Sequence, residues 1–206
     1  MHDKKFTRHD ATVMEEKTVY QGFFKIKKFL LTHRLFRGGV TREVSRELFC
    51  RGTSVGVLLY DPVTDRVGLA KQFRIGCLDN EQGPWVWEVI AGINDKNETP
   101  EQVALREVRE ESGLTITQAS LVPICNYYSS PGGSDERLQL YCAITPLSEV
   151  EDVFGVDHES EDILFKTLAY PEVINAMLDH SINNAATIIA LQWLQLNRQS
   201  LREKCC

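Results

Sequence analysis

No apolar run in this chain approaches the roughly 20 residues needed to span a bilayer as a helix, so a helical membrane protein is not expected. Internal repeats and low-complexity linkers are missing, which argues against a solenoid or a tethered pair of modules. Positive charge is in deficit: 23 Lys and Arg stand against 29 Asp and Glu, a net charge of −6. A sequence-independent nucleic-acid binder needs the opposite balance, so no nucleic-acid partner is expected. The six cysteines, at 50, 77, 125, 142, 205 and 206, lack paired metal-ligand spacing. The opening residues MHDKKFTRHD lack the apolar core of a signal peptide. Together these features predict a protein of the reducing cytoplasm with free thiols, its Cys205-Cys206 pair part of a frayed tail.

What is present is a chain of 206 residues, 43% hydrophobic and 25% charged, which fits one soluble domain with a small appendage. Its most informative stretch is GINDKNETPEQVALREVREESGL, from Gly92 to Leu114. Thr99, Pro100 and Gln102 read as the N-cap, first position and capping-box partner of a helix, and Gly113 as its left-handed terminator. Between these caps Ala104, Leu105 and Val108 make an apolar stripe. Glu107, Glu110 and Glu111 fall on a neighbouring arc, at the edge of the core. Like charges at helical spacing repel, so holding three carboxylates there requires a reason. A hard divalent cation supplies one, because Mg²⁺ and Mn²⁺ prefer carboxylate oxygens. The competing reading, a solvated acidic face, leaves the caps and the flanking Gly92 and Glu98 unexplained.

Those residues follow a pattern: Gly, five residues, Glu, seven residues, then Arg-Glu-apolar-any-Glu-Glu-any-Gly-apolar. It is filled by Gly92, Glu98, Arg106, Glu107, Val108, Glu110, Glu111, Gly113 and Leu114. This resembles the signature box of the Nudix hydrolases. The resemblance implies a loop–helix–loop that binds metal beside the diphosphate of a nucleoside diphosphate linked to another group.

Along the rest of the chain, residues 17–32 and 40–51 read as long strands about a turn at Arg37-Gly38-Gly39. Further strands are expected at 54–60, 67–73, 85–91, 121–128, 137–144 and 163–168, and helices at 171–179 and 182–197. The expected fold is α/β (α+β), a mixed sheet between helices. The Nudix resemblance implies the same α/β/α sandwich, with N-terminal antiparallel strands. The expected division is 1–52, an N-terminal β region serving dimerisation and the adenine site, and 53–206, the hydrolase domain with its box at 92–114.

A second segment, Ser129-Ser130-Pro131-Gly132-Gly133-Ser134-Asp135-Glu136-Arg137, refines the likeness. Sixteen residues separate Pro131 from the box. A proline near there resembles the branch of the family that cleaves ADP-ribose. Further likeness runs through Tyr20–Phe24, Arg46-Glu47, Arg51-Gly52, Gln72–Ile75, Trp87-Glu88 and the C-terminal region. The expected reaction is hydrolysis of ADP-ribose to AMP and ribose 5-phosphate. The alternatives are a Nudix hydrolase for another nucleotide sugar or nucleoside diphosphate derivative, and a non-catalytic ADP-ribose sensor. A homodimer is implied by the resemblance alone.

Metal ligands are expected first at Glu107 and Glu111. Resemblance adds the carbonyl of Ala91 and the carboxylate of Glu161, while Glu110 is either a ligand or a positioning residue. Glu98 and Arg106 are expected to brace the loop and helix. The acidic, glycine-bearing segment 154–162 reads as a loop able to move over substrate, and resemblance places the general base at Glu159. His158 is a weaker candidate, and a solvated acidic loop the plain alternative. Expected substrate contacts are Arg74 to phosphate or ribose, Glu136 to ribose hydroxyls, and Phe23 and Arg46 on the two faces of adenine. Phe24, Glu47, Arg51, Ile93, Ser130, Pro131 and Gly132 complete the set. Core packing or surface ion pairs are the competing roles for Phe23, Arg46 and Arg51.

Overall fold

The computed structural model describes residues 5–94, 98–156 and 161–204. The chain forms two compact units, one of residues 1–52 with 128–136 and the other of residues 53–127 with 137–206.

In the first unit, β1 (Ala11–Gln21), β2 (Lys25–His33) and β3 (Val44–Cys50) make an antiparallel sheet in the order β1-β2-β3. One continuous strand over 17–32 was expected. The chain instead reverses at Gly22-Phe23-Phe24, where Gln21 pairs with Lys25. The Gly22 N–H donates to the Phe24 carbonyl at 2.9 Å to close that turn. Gly38 and Gly39, with φ of 92° and 78°, take left-handed conformations that only glycine adopts freely and turn the chain between β2 and β3.

Among the described residues the second unit is a mixed eight-stranded sheet flanked by three α-helices. Its strands are β4 (Thr53–Asp61), β5 (Arg66–Phe73), β6 (Trp85–Glu88), β7 (Ile90–Ile93), β8 (Leu121–Tyr128), β9 (Arg137–Ile144), β10 (Glu151–Phe154) and β11 (Ile163–Ala169). The main path runs β10-β11-β5-β4-β9-β8, with β6 on β5 and β7 on β4. β4 and β9 are parallel, and the other pairs with a recorded register antiparallel. The expected single strand over 85–91 is thus two strands that leave on different partners.

Alternation along β4 sends Val55, Val57 and Leu59 to one face and Leu58 and Tyr60 to the other. The first face packs on α1 (Pro100–Ser112) through Val103, Ala104 and Val108. The second packs on α2 (Tyr170–Leu178) and α3 (Ala185–Glu203) through Val173, Ala190, Leu191 and Leu194. Each fully buried leucine there contributes on the order of 2 kcal/mol of hydrophobic stabilisation. This is the α/β/α layering expected from the pattern of elements. Among the described residues no helix is long and apolar enough to cross a membrane.

Candidate active site

The box helix α1 is built by its caps. The Thr99 hydroxyl accepts from the Gln102 N–H at 3.3 Å, and the Gln102 side chain accepts from the Thr99 N–H at 2.8 Å. Pro100 occupies the first turn, and Gly113 ends the helix at φ 68°. So fixed, the helix turns Glu107 and Glu111 inward with the apolar stripe, leaving them 9% and 2% exposed. The three carboxylates do not share one environment: Glu110 is only half-buried. One residue is 100° on a helix, so Glu110 is rotated off the face that buries Glu111.

Both inward carboxylates meet the backbone of β7. The Ala91 N–H donates to Glu111 Oε2 at 3.3 Å. Glu107 sits against Gly92, where a Cβ would lie 1.7 Å from its Oε1. The glycine therefore provides the space that the carboxylate fills. Arg106 braces the cluster from outside. Its Nη1 lies 2.7 Å from Glu107 Oε1 and 2.9 Å from Glu110 Oε2, and its Nε is 3.2 Å from Glu98 Oε2. Residues 95–97 of the box loop lie outside the described residues.

Burial raises the Glu107 carboxyl to about 7, opposed by Arg106 and reinforced by Glu110 and Glu161. Burial likewise raises Glu111 to about 8, with the Glu107 and Glu161 charges adding to it and Arg74 opposing. Two desolvated carboxylates that resist ionising side by side are a charge arrangement completed by a cation. This donor chemistry fits Mg²⁺ or Mn²⁺. As they stand, no three acidic, His or Cys groups among the described residues converge into a cation cage. Arg106 already engages two of the candidate oxygens. Glu161 accepts instead from the Val156 N–H at 3.2 Å. The expected base Glu159, and His158 beside it, lie outside the described residues.

Arg74 directly follows the last residue of β5, and its Nε donates to Glu88 Oε2 at 2.7 Å. Glu88 is a residue to which sequence reasoning assigned no role. Burial raises its carboxyl, with Arg74 opposing. The available signal was a charge inside the otherwise apolar run Trp85–Ile90, a position that requires a partner. Ile93 closes β7 and is 40% exposed.

The remaining expected contacts lie in the first unit. Arg51 Nε donates to Glu136 Oε1 at 3.2 Å, and its guanidinium stacks 4.8 Å from the Phe24 ring. Asp135 Oδ1 accepts from the Arg51 and Gly52 N–H groups at 2.7 and 3.1 Å. Ser129 donates its hydroxyl to Glu136. Ser130, Pro131 and Gly132 are exposed in the turn just before these residues. Phe23 is 88% exposed. Arg46 and Glu47 are exposed on β3, where Arg46 faces Phe29 and Glu47 faces Lys28. Cys50 is the β3 residue opposite Lys25. Arg46 therefore lies about 13 Å along the strand from the end that carries Phe23. Within one chain the structure does not bring Phe23 and Arg46 together as a sandwich.

A capped acidic helix laid against a mixed sheet, with glycine and backbone opposite its inward carboxylates, is the arrangement of the Nudix family, and the chain belongs to that family: its residues 51–191 match the NUDIX domain. Over 199 residues it is 36% identical to the ADP-ribose pyrophosphatase of Escherichia coli (strain K12), covering 97% of this chain and 94% of that one. The ADP-ribose pyrophosphatase of Haemophilus influenzae is 36% identical over 201 residues, covering 96% and 92%. A GDP-mannose pyrophosphatase of Pectobacterium atrosepticum is 33% identical over 182 residues, covering 87% and 91%. Among solved structures, an ADP compounds hydrolase superposes with a TM-score of 0.68 over 96% of this chain and 100% of that one. At 19% identity that likeness speaks for the fold alone.

Proposed function

We propose that this protein hydrolyses the diphosphate of ADP-ribose to AMP and ribose 5-phosphate. The observation that carries the chemistry is the buried pair Glu107 and Glu111 against the backbone of Ala91 and Gly92. The substrate rests on the names of relatives 36% identical over nearly the whole chain.

Glu107 and Glu111 would hold the metal, with the Ala91 carbonyl, Glu161 and Glu110 as further donors. A divalent cation bound there, Mg²⁺ or Mn²⁺, supplies positive charge to the diphosphate and lowers the pKa of attacking water. Arg74, paired through Nε with Glu88 in the structure, turns its guanidinium donors to a phosphate or ribose oxygen. Glu159 accepts the proton of the attacking water. The water oxygen bonds to one phosphorus, and the bridging P–O bond breaks with its electron pair on the departing phosphate. Ile93 borders the bound diphosphate.

Phe23, Phe24, Arg46, Glu47, Arg51 and Glu136 bind the adenosine, with Ser130, Pro131 and Gly132 shaping the turn beside it. Because Phe23 and Arg46 lie apart on one chain, an adenine stacked between both takes them from two chains, which favours a homodimer. The compartment of action is the cytoplasm.

The test is cleavage of ADP-ribose in ¹⁸O-water with and without Mg²⁺, with GDP-mannose run in parallel because a relative 33% identical bears that name. AMP and ribose 5-phosphate should form only with metal, and the label identifies the attacked phosphorus. Faster turnover of GDP-mannose would reassign the substrate. Binding of ADP-ribose without cleavage would establish the sensor instead.

A further inference from the structure

Next to Arg74 lies a polar side chain that the proposed chemistry does not use. Gln72 is only 7% exposed, and its Nε2 is buried with no hydrogen-bond partner among the described residues. An unpaired buried amide is destabilising, and such a group in a folded protein calls for an explanation.

Its position in the sheet supplies one. Along β5, Ala70 belongs to the core face covered by α1, and alternation places Gln72 on that same face. Ala70 pairs with Glu88 across β6, and Gln72 with Val86. Gln72 and Glu88 are thus diagonal neighbours on one face of adjacent strands, a spacing that long side chains bridge. Glu88 has a side chain only 16% exposed, and its recorded partner is Arg74. Arg74 is the more exposed member of that pair, at 42%. A buried carboxylate bound to a half-exposed arginine therefore lies one pleat from a buried donor with no partner. When Arg74 turns its guanidinium towards an anionic diphosphate, Glu88 loses part of its compensation. Gln72 is the neutral donor placed to restore it.

We propose that Gln72 is a positioning residue for Arg74: its carboxamide takes over the Glu88 carboxylate as Arg74 engages the diphosphate. The inference rests on the assignment of Arg74 to the substrate made above. Its substrate chemistry is the diphosphate itself, whatever group is attached to it.

The experiment is a double-mutant cycle on the full chain with Mg²⁺ and ADP-ribose, using Gln72→Met and Glu88→Gln. Gln72→Met keeps the size of the side chain and removes the donor. KM should rise about tenfold, the size of one lost buried hydrogen bond, with kcat nearly unchanged and Tm equal or higher. In the Glu88→Gln background the same change should leave KM where Glu88→Gln alone put it. An unchanged KM in Gln72→Met, or two effects that multiply, overturns the proposal. Wild-type crystals soaked with inorganic diphosphate give a reading independent of ADP-ribose turnover. Gln72 Nε2 should lie within 3.2 Å of a Glu88 oxygen, as an ordinary hydrogen bond requires, with Arg74 on the diphosphate. Gln72 still unpaired, or no diphosphate at Arg74, overturns it as well. Failure of wild-type protein to cleave ADP-ribose would instead sink the substrate assignment.

Discussion

Glu107 Oε1 occupies the space in which a side chain at Gly92 would begin, since a Cβ there would be 1.7 Å away. The two positions are coupled by exclusion. Gly92→Ala must drive the carboxylate off β7 and away from its place beside Arg106. Turnover of ADP-ribose is expected to fall at least ~100-fold, with about 1–3 kcal/mol of overpacking cost. Steady-state rates and thermal melts check both, and a fully active alanine variant would show that Glu107 is misassigned.

Glu111→Gln separates metal binding from folding. The amide is close in size to the carboxyl and is neutral, so the 2%-exposed position no longer carries a group whose ionisation burial opposes. Metal-free stability should hold or rise while kcat falls by ~1,000-fold or more. Near-normal rates would place the metal elsewhere.

Chelation gives a complementary result. With EDTA the wild type should lose ADP-ribose turnover and recover it on adding Mg²⁺. A ligand that binds only the folded state raises Tm by mass action, so Mg²⁺ should raise the wild-type Tm and leave that of Glu111→Gln nearly unmoved. Equal shifts in both proteins would mean that the ion stabilises some other surface.

How much of this was legible beforehand depended on whether the governing physics was local. Thr99, Pro100, Gln102 and Gly113 mark the ends of α1 by hydrogen bonds and φ angles within a few residues, so the helix bounds read directly from the chain. The turn at Gly22-Phe23-Phe24 did not, because two phenylalanines continue an apolar strand pattern through the reversal. β10 was invisible for the opposite reason. Its Glu151, Asp152 and Val153 are exposed on a sheet edge, so nothing in the pattern of apolar residues marks it. The split of Trp85–Ile93 into β6 and β7 depends on which neighbour each half pairs with, a long-range fact. Glu110 was grouped with Glu107 and Glu111 by spacing, and only packing shows which of the three face inward. That Gln72 and Glu88 are diagonal neighbours emerged only once β5 and β6 were in register.

Away from the site, Asp65 ties the β4–β5 turn to α3, and this contact should be lost in acid. Its carboxylate accepts from Tyr60 Oη at 2.9 Å and from Arg198 Nε at 2.8 Å, and lies 3.2 Å from Arg202 Nη1. Its own carbonyl accepts the Tyr170 N–H at 3.0 Å, and Arg198 stacks 4.3 Å over the Tyr170 ring. The Arg198 hydrogen bond, with help from Tyr60 and Arg202, holds the Asp65 carboxyl below its usual range against the opposing effect of burial. A carboxyl whose folded pKa lies below its unfolded value of about 3.9 favours the fold only when ionised. That contribution is complete above the unfolded value and disappears as pH falls through the folded one. Asn tolerates the left-handed φ of 58° at this position, so Asp65→Asn removes the charge without straining the turn. At pH 7 the variant should be less stable by about 1–2 kcal/mol, a figure reduced for the partial exposure of both partners. The difference from wild type should shrink below about pH 4 and vanish in stronger acid. Urea melts across that range measure it, and a difference that persists undiminished at pH 2 would show that the contact acts through packing and not through charge.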